Sequence, residues 1–482
     1  MRWNSTLWIA LSLCTVWVCR PIHAQPKDTQ RIVTVAQSGE ADVLGRSHAE
    51  IVKAIQDVLK AGGGTVRIKE GTYLIGETIR LGPEVKDVVI EGVGEAILKL
   101  APQIRTVTTA DLKAGDAVLK VQDASRFRPG MQIEIQAPGR ISKFKGHQVK
   151  SFCMVVKSVS ADGIEFTKPT KYAAPAGTNV VYLLNLFHID RAKRVTFRRL
   201  VLDGGIAEGD IRPINHVKHC AIFGHGPYSY TEGPTGPPAE DIRVEECAIR
   251  NFFHRGIAFY SVLRAEVVKC RIENTQSEAI DFDHFCTHCV ASENAIANAP
   301  IGVELNDASY CRIERNEIRD CNIGVNIWQW CKLDDLNVEN TILQNRIANA
   351  RSYGIRCAKR ADRNRIEQNT VAGSKSFGIV LEGKANVARQ NKVTGAMKSP
   401  FYVTGESNEV SENVCEDTGA KPGTVDAVFV TGTGNTIRRN RIVCTREKAF
   451  RHGICAKGST NTIEENACDG TTGEPVKVDG ER

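Results

Sequence analysis

What the chain lacks narrows its chemistry first. There is no Gly-rich phosphate loop, no GxSxG elbow and no HExxH pair in the 482 residues, which removes nucleotide-dependent enzymes, serine hydrolases and zincins. No Lys/Arg block breaks the charge pattern. The formal charge is only +7, or +5 without Arg2 and Arg20 of the leader described next, so no nucleic-acid footprint is expected. Long apolar runs are missing as well, apart from Leu7 to Val18 near the start. That stretch follows Met1 and Arg2, spans roughly a dozen residues and ends before His23 and Ala24, so it reads as a secretory signal peptide over 1–24 and is too short to span a bilayer. A secreted or periplasmic protein without membrane insertion is expected. Aromatic residues are only 6% of the chain, but 42% hydrophobic residues leave ample material for a core.

Self-similarity fills the second half. The phrases GIAFY, AIDFD, GVELN, GVNIW, GIRCA, GIVLE and GICAK recur, with weaker copies PFYVT and AVFVT. Their first apolar residues are Ile257, Ile280, Val303, Val325, Ile355, Ile379, Phe401, Val428 and Ile454, at steps of 23, 23, 22, 30, 24, 22, 27 and 26. A second phrase places Cys247, Cys270, Asn294, Asn316, Asn345, Asn369, Asn391, Asn413, Asn440 and Asn466 at one repeating position. Both phrases alternate with period 2 between Gly, Asn or Asp, as short strands do. Short strands, a turn of about 22 residues and a stacked Asn position predict an all-β parallel β-helix solenoid.

On these phrases the chain resembles the right-handed parallel β-helix superfamily, which includes pectate lyases, polygalacturonases, alginate-modifying enzymes and NosD-like repeat proteins. The resemblance covers roughly residues 183–475 and implies a fold, with no single chemistry. Upstream, Ser47 to Ala61 carries Ile51, Ile55, Val58 and Leu59 at helical spacing, with Ser47 as N-cap and Glu50 three residues on. It is expected to cap the solenoid. The reading divides the chain into cap and first coils over 25–102, a small β insertion over 103–182, repeats over 183–475 and a tail over 476–482. Residues 226–240 form a Gly/Pro-rich loop suited to a groove wall.

Strand alternation assigns faces. Ile280 and Phe282 point inward, so Asp281 and Asp283 point outward; Glu304 with Asn306, and Asn326 with Trp328, follow in the next rungs. Tyr260 and Arg356 flank them in the same columns. Three carboxylates on adjacent strands about 5 Å apart repel unless function compensates. Asp281, Asp283 and Glu304 are therefore candidate catalytic acids and bases, or a Ca²⁺ site, with His284 beside them to orient a carboxylate or shuttle a proton. Tyr260, Asn306, Asn326, Trp328, Arg356 and Arg255 are candidate substrate contacts. His225 and Asp203 stand in reserve, though Asp203 in LDGG also suits a plain turn.

Three functions remain open on this reading. A glycoside hydrolase would use two carboxyls and no cofactor: Asp281 and Glu304 at about 5 Å suit retention, and Asp283 and Glu304 at about 8 Å suit inversion. A lyase or epimerase on a uronate polymer would use Ca²⁺. AIDFDH resembles the Asp-rich strand of pectate lyases and, loosely, the Asp/His strand of alginate epimerases, while the Gly-His-Gly and Arg-Ile-Lys elements of polygalacturonases are absent. A non-catalytic carbohydrate-binding or structural solenoid is the third. In each case the expected partner is a polysaccharide, and the oligomeric state stays open. HFCTHC at 284–289 is either a zinc site or a turn whose Cys286 and Cys289 stack inside, and Cys247 and Cys270 are either a disulfide or a reduced stack.

Overall fold

The computed structural model describes residues 31–137, 151–445, 447–458 and 460–479; the segment expected to be a signal peptide lies outside them. The chain winds into a right-handed parallel β-helix. One face is a sheet of 13 strands, and the other two faces join into a sheet of 27 strands. The expected register holds at every step: Ile257, Ile280, Val303, Val325, Ile355, Ile379, Phe401, Val428 and Ile454 pair in succession on the 13-stranded face. Their side chains are buried in the axial core.

The Asn ladder also forms. Asn294, Asn316, Asn345, Asn369, Asn391, Asn413, Asn440 and Asn466 pass side-chain hydrogen bonds from coil to coil at 2.9–3.0 Å. Each corner turns because the preceding residue takes a left-handed conformation, as at Glu293 (φ 57°), Arg315 (φ 53°), Gln344 (φ 55°) and Gln368 (φ 55°). A non-glycine residue pays for that φ, and the Asn side chain offsets it by satisfying backbone groups on the neighbouring coil. A second ladder, not anticipated from the sequence, runs through Asn364, Asn386, Asn408, Asn435 and Asn461 at the other corner.

Helix α1 (His48–Lys60) starts at Ser47 with the expected capping box to Glu50 and buries Ile51, Ala54, Ile55 and Val58 against the first coils. Residues 105–182 interrupt the winding with a six-stranded sheet around a core of its own that includes Phe127, Ile133, Ile135, Phe152 and Ile164. Its buried Glu134 accepts the backbone N–H groups of Ile214 and Asn215 at 2.7 and 2.8 Å. The insertion thereby fixes the segment that passes over the 13-stranded face.

No disulfide links the described cysteines. Cys247, Cys270, Cys286 and Cys289 all lie in the axial core, so the zinc reading of HFCTHC through its CxxC fails: both thiols point inward, with Cys286 Sγ 3.0 Å from the Phe259 carbonyl.

Candidate functional site

Four strands of the 13-stranded face carry the site: β1 (Ile257–Tyr260), β2 (Ile280–Asp283), β3 (Ile301–Asn306) and β4 (Ile323–Trp328). Pairing places Ala258, Asp281, Glu304, Asn326 and Arg356 in one outward column. Tyr260 pairs with Asp283, and Asn306 with Trp328, in the other. The sequence therefore brings Asp281, Asp283, Glu304, Asn306, Asn326, Trp328 and Tyr260 together as expected.

Outward direction does not mean exposure here. Asp281 is 0% exposed, Asp283 2% and Glu304 3%. Their side chains leave the sheet on its outer side but are roofed by excursions from the repeat. Segment 211–217 reaches Arg255, whose Nη1 donates to the His216 carbonyl at 2.9 Å. The Gly/Pro-rich loop brings Tyr228 and Tyr230 within 5.3 and 4.9 Å of the His284 ring, centroid to centroid. A third excursion follows β4, where the 30-residue step falls.

Arg255 is the cation of the site. Its Nε lies 2.8 Å from Glu278 and 2.6 Å from Asp281, with all three side chains nearly or fully buried. These contacts are close in distance but not aligned as hydrogen bonds, so both oxygens of Asp281 and the Arg255 Nε have no hydrogen-bond partner. Asn306 Oδ1, Asn326 Oδ1 and Trp328 Nε1 are likewise buried and unpartnered. Asn326 Nδ2 does donate to Glu304 Oε1 at 2.8 Å. Burial with such a set of orphan donors and acceptors costs about 1–3 kcal/mol each unless a ligand answers them.

Burial and like charges split the acids. Desolvation, then Arg255 in opposition, then Asp283, Glu278 and Glu304 leave the Asp281 carboxyl well above its ordinary range. Burial raises Asp283 too, against the pull of His284 and Arg255. Glu304 is pushed up to about 8 by burial and by the Glu278 charge. For Glu278 burial also works upward, but Arg255 and the Ser277 hydroxyl outweigh it and hold the carboxyl below its usual range. The site thus pairs a protonated carboxyl with an ionised one, the division that acid–base catalysis requires. One oxygen from each of Glu278, Asp281 and Glu304 lies within 4.8 Å of the others.

The remaining candidates separate. Arg356 is in column but ion-paired to Glu382 at 2.7 Å. His225 stands one coil before Tyr260, with its Nε2 3.0 Å from that of His188. Asp203 is not in the groove at all; it sits on the 27-stranded sheet, bound to Arg250 at 2.8 Å. At the expected Ca²⁺ position, the Arg255 guanidinium lies between Glu278 and Asp281, and Glu278 joins Asp281 and Glu304 as the three carboxylates whose oxygens lie close together. Sequence reasoning missed Glu278, Asp307, Cys331 and the two roofing tyrosines, which all lie in turns or loops outside the alternating phrases.

Residues 255–415 match the family model described as the right handed beta helix region. No curated protein matches the sequence. Among solved structures, the A-module of mannuronan C-5 epimerase AlgE6 from Azotobacter vinelandii is 11% identical, with a TM-score of 0.50 over 90% of this chain and 95% of its own. The N-terminal fragment of gene product 12 from bacteriophage Phi29 is 13% identical, with a TM-score of 0.56 over 88% and 69%. XylC in complex with xylose is 10% identical, with a TM-score of 0.51 over 90% and 86%. At such identities the likeness is one of architecture, and it agrees with the observed coil register: the chain has the right-handed parallel β-helix fold, with residues 255–415 matching the right handed beta helix region.

Proposed function

We propose that the protein is an exported carbohydrate-active enzyme of glycoside hydrolase type that cleaves a polysaccharide on its 13-stranded face. Glu304, protonated at neutral pH, donates to the glycosidic oxygen; Glu278, ionised beside Arg255, acts as nucleophile or base; Asp281 and Asp283 shape the field between them. The observation that carries this reading is the set of buried atoms without a hydrogen-bond partner, Asp281 Oδ1, Asn306 Oδ1, Asn326 Oδ1 and Trp328 Nε1, on the strands that also carry an acid held protonated. Hydroxyl-rich sugars answer such a mixture of acceptors and donors, and Trp328 offers a ring on which a sugar stacks. One oxygen of Glu278 and one of Glu304 lie within 4.8 Å of each other, close enough for both carboxyls to act on one glycosidic linkage. A carbohydrate role is supported by two of the similar structures, a mannuronan C-5 epimerase module and XylC in complex with xylose.

The competing reading is a lyase or epimerase acting on a uronate polymer. Charge weighs against it: Glu278, Asp281, Asp283, Glu304 and Asp307 face Arg255 and His284, and Arg255 is already committed to two carboxylates. A neutral sugar at the centre is the better fit. Incubation with a panel of neutral and uronic polysaccharides tests this. New reducing ends without an unsaturated product are expected, and Glu304→Gln should abolish them. An unsaturated product would establish a lyase, and binding without cleavage would establish a non-catalytic solenoid.

A further inference from the structure

Past the ends of β2 and β3, away from Arg255, lies a second cluster of different composition. His284 Nδ1 is 2.8 Å from Asp307 Oδ2 and 4.0 Å from Cys331 Sγ. All three residues are buried, and their donor atoms lie within 4.8 Å of one another. Asp283 Oδ1 stands 3.1 Å from the same nitrogen. Three parts of the chain meet there: the residue after β2, the residue after β3, and the loop that follows β4.

Two observations single this cluster out from ordinary packing. Cys331 does not belong to the axial core that takes in Cys247, Cys270, Cys286, Cys289 and Cys311; it is instead turned toward a histidine and a carboxylate. The second is charge. Asp283 and Asp307 are 2% and 1% exposed, and among the described residues their only ion-pair partner is His284. Arg255 acts on Asp283 through space but is held by Glu278 and Asp281. Backbone N–H groups of Trp330 and Cys331 donate to Asp307 at 2.9 and 3.0 Å, which softens the excess of negative charge without cancelling it. Buried carboxylates in excess over cations are costly, and a dication cancels them.

We propose that His284, Asp307 and Cys331 form a transition-metal site of the zinc class. A nitrogen, an oxygen and a thiol are the donor types that Zn²⁺ takes, at about 2.0–2.3 Å from the metal, and the 2.8 and 4.0 Å separations from His284 Nδ1 bracket the roughly 3.3–3.6 Å between donor atoms of a tetrahedral ion. Binding breaks the Cys331 S–H bond, forms the metal–thiolate bond and releases the proton to solvent. The ion's task is mechanical: it ties the loop after β4 to the coil stack and keeps the roof over the acids in place. His284 is then a ligand and not a proton shuttle.

The test uses the purified full chain stripped of metal and titrated with Co²⁺, then with Zn²⁺. About one equivalent of Co²⁺ should bind with a thiolate-to-cobalt charge-transfer band that Zn²⁺ displaces. Cys331→Ser and Asp307→Asn should lose the band, whereas His288→Ala, which changes the exposed histidine of the HFCTHC run, should keep it. Trypsin should cut at the exposed Lys332 at least several-fold faster in the stripped protein than in the Zn²⁺-loaded one. Failure of the wild-type chain to take up Co²⁺ with that band overturns the proposal even if the variants do not fold. A band undiminished in Cys331→Ser overturns it as well.

Discussion

Glu304 concentrates the electrostatic tension of the site. Its folded-state carboxyl titrates near 8, above the unfolded value of about 4.3. Folding therefore binds a proton between those pH values, so the group's contribution to stability falls as pH rises through that window and is least favourable above about 8. Glu304→Gln keeps the oxygen that accepts from Asn326 and removes the titration. Its melting temperature should match wild type near pH 4 and exceed it increasingly up to pH 8, by on the order of 2–4 kcal/mol in free energy. Activity should be lost in this variant. In the wild type, kcat/KM should fall above about pH 8 as the donor proton leaves. Trp328→Ala should mainly raise KM, because a stacking ring holds the sugar in ground and transition states alike. The outward direction of Asp281, Asp283 and Glu304 was legible from alternation alone. Their burial was not, since it depends on residues such as Tyr228 and His216 whose positions no repeat dictates.

At the scale of the coil, the Asn corner is a continuous hydrogen-bonded rail. Asn369 Nδ2 donates to the Ile342 carbonyl at 2.8 Å and to Asn391 Oδ1 at 3.0 Å, while its own Oδ1 accepts from the Asn345 backbone N–H at 2.9 Å. Asn369→Leu orphans those groups inside the solenoid and should lower stability by about 1–3 kcal/mol, measurable as a drop in denaturant midpoint. An unchanged midpoint would show that the rail contributes nothing net. This ladder could be counted from the sequence because most of its Asn residues follow their strand phrase at a nearly constant distance, Val325 to Asn345 being the exception. The second rail, through Asn364, Asn386 and Asn408, follows the same steps. Its earlier rung is Cys311, whose backbone N–H donates to Asn340, as that of Cys270 donates to Asn294 in the first. Loops carry no such period. The 30-residue step between Val325 and Ile355 was the one numerical trace of the excursion that holds Cys331.

For the whole molecule, the solenoid supplies a regular face, and three irregular excursions cover part of it. The roof fixes how a long substrate is met. With Asp281 fully buried and Glu304 3% exposed, a polymer cannot be draped sideways across the acids, as it could across a bare face. On the proposed hydrolase reading, a chain is then threaded by its terminus or enters when the loops part. Cutting from a terminus leaves most of the polymer long until late in the reaction. The viscosity of a polysaccharide solution should therefore stay nearly constant while reducing sugar accumulates, and the first products by chromatography should be short and uniform in length. Excising residues 228–236 from the Gly/Pro-rich loop should shift that balance, so that viscosity collapses early for the same number of bonds broken.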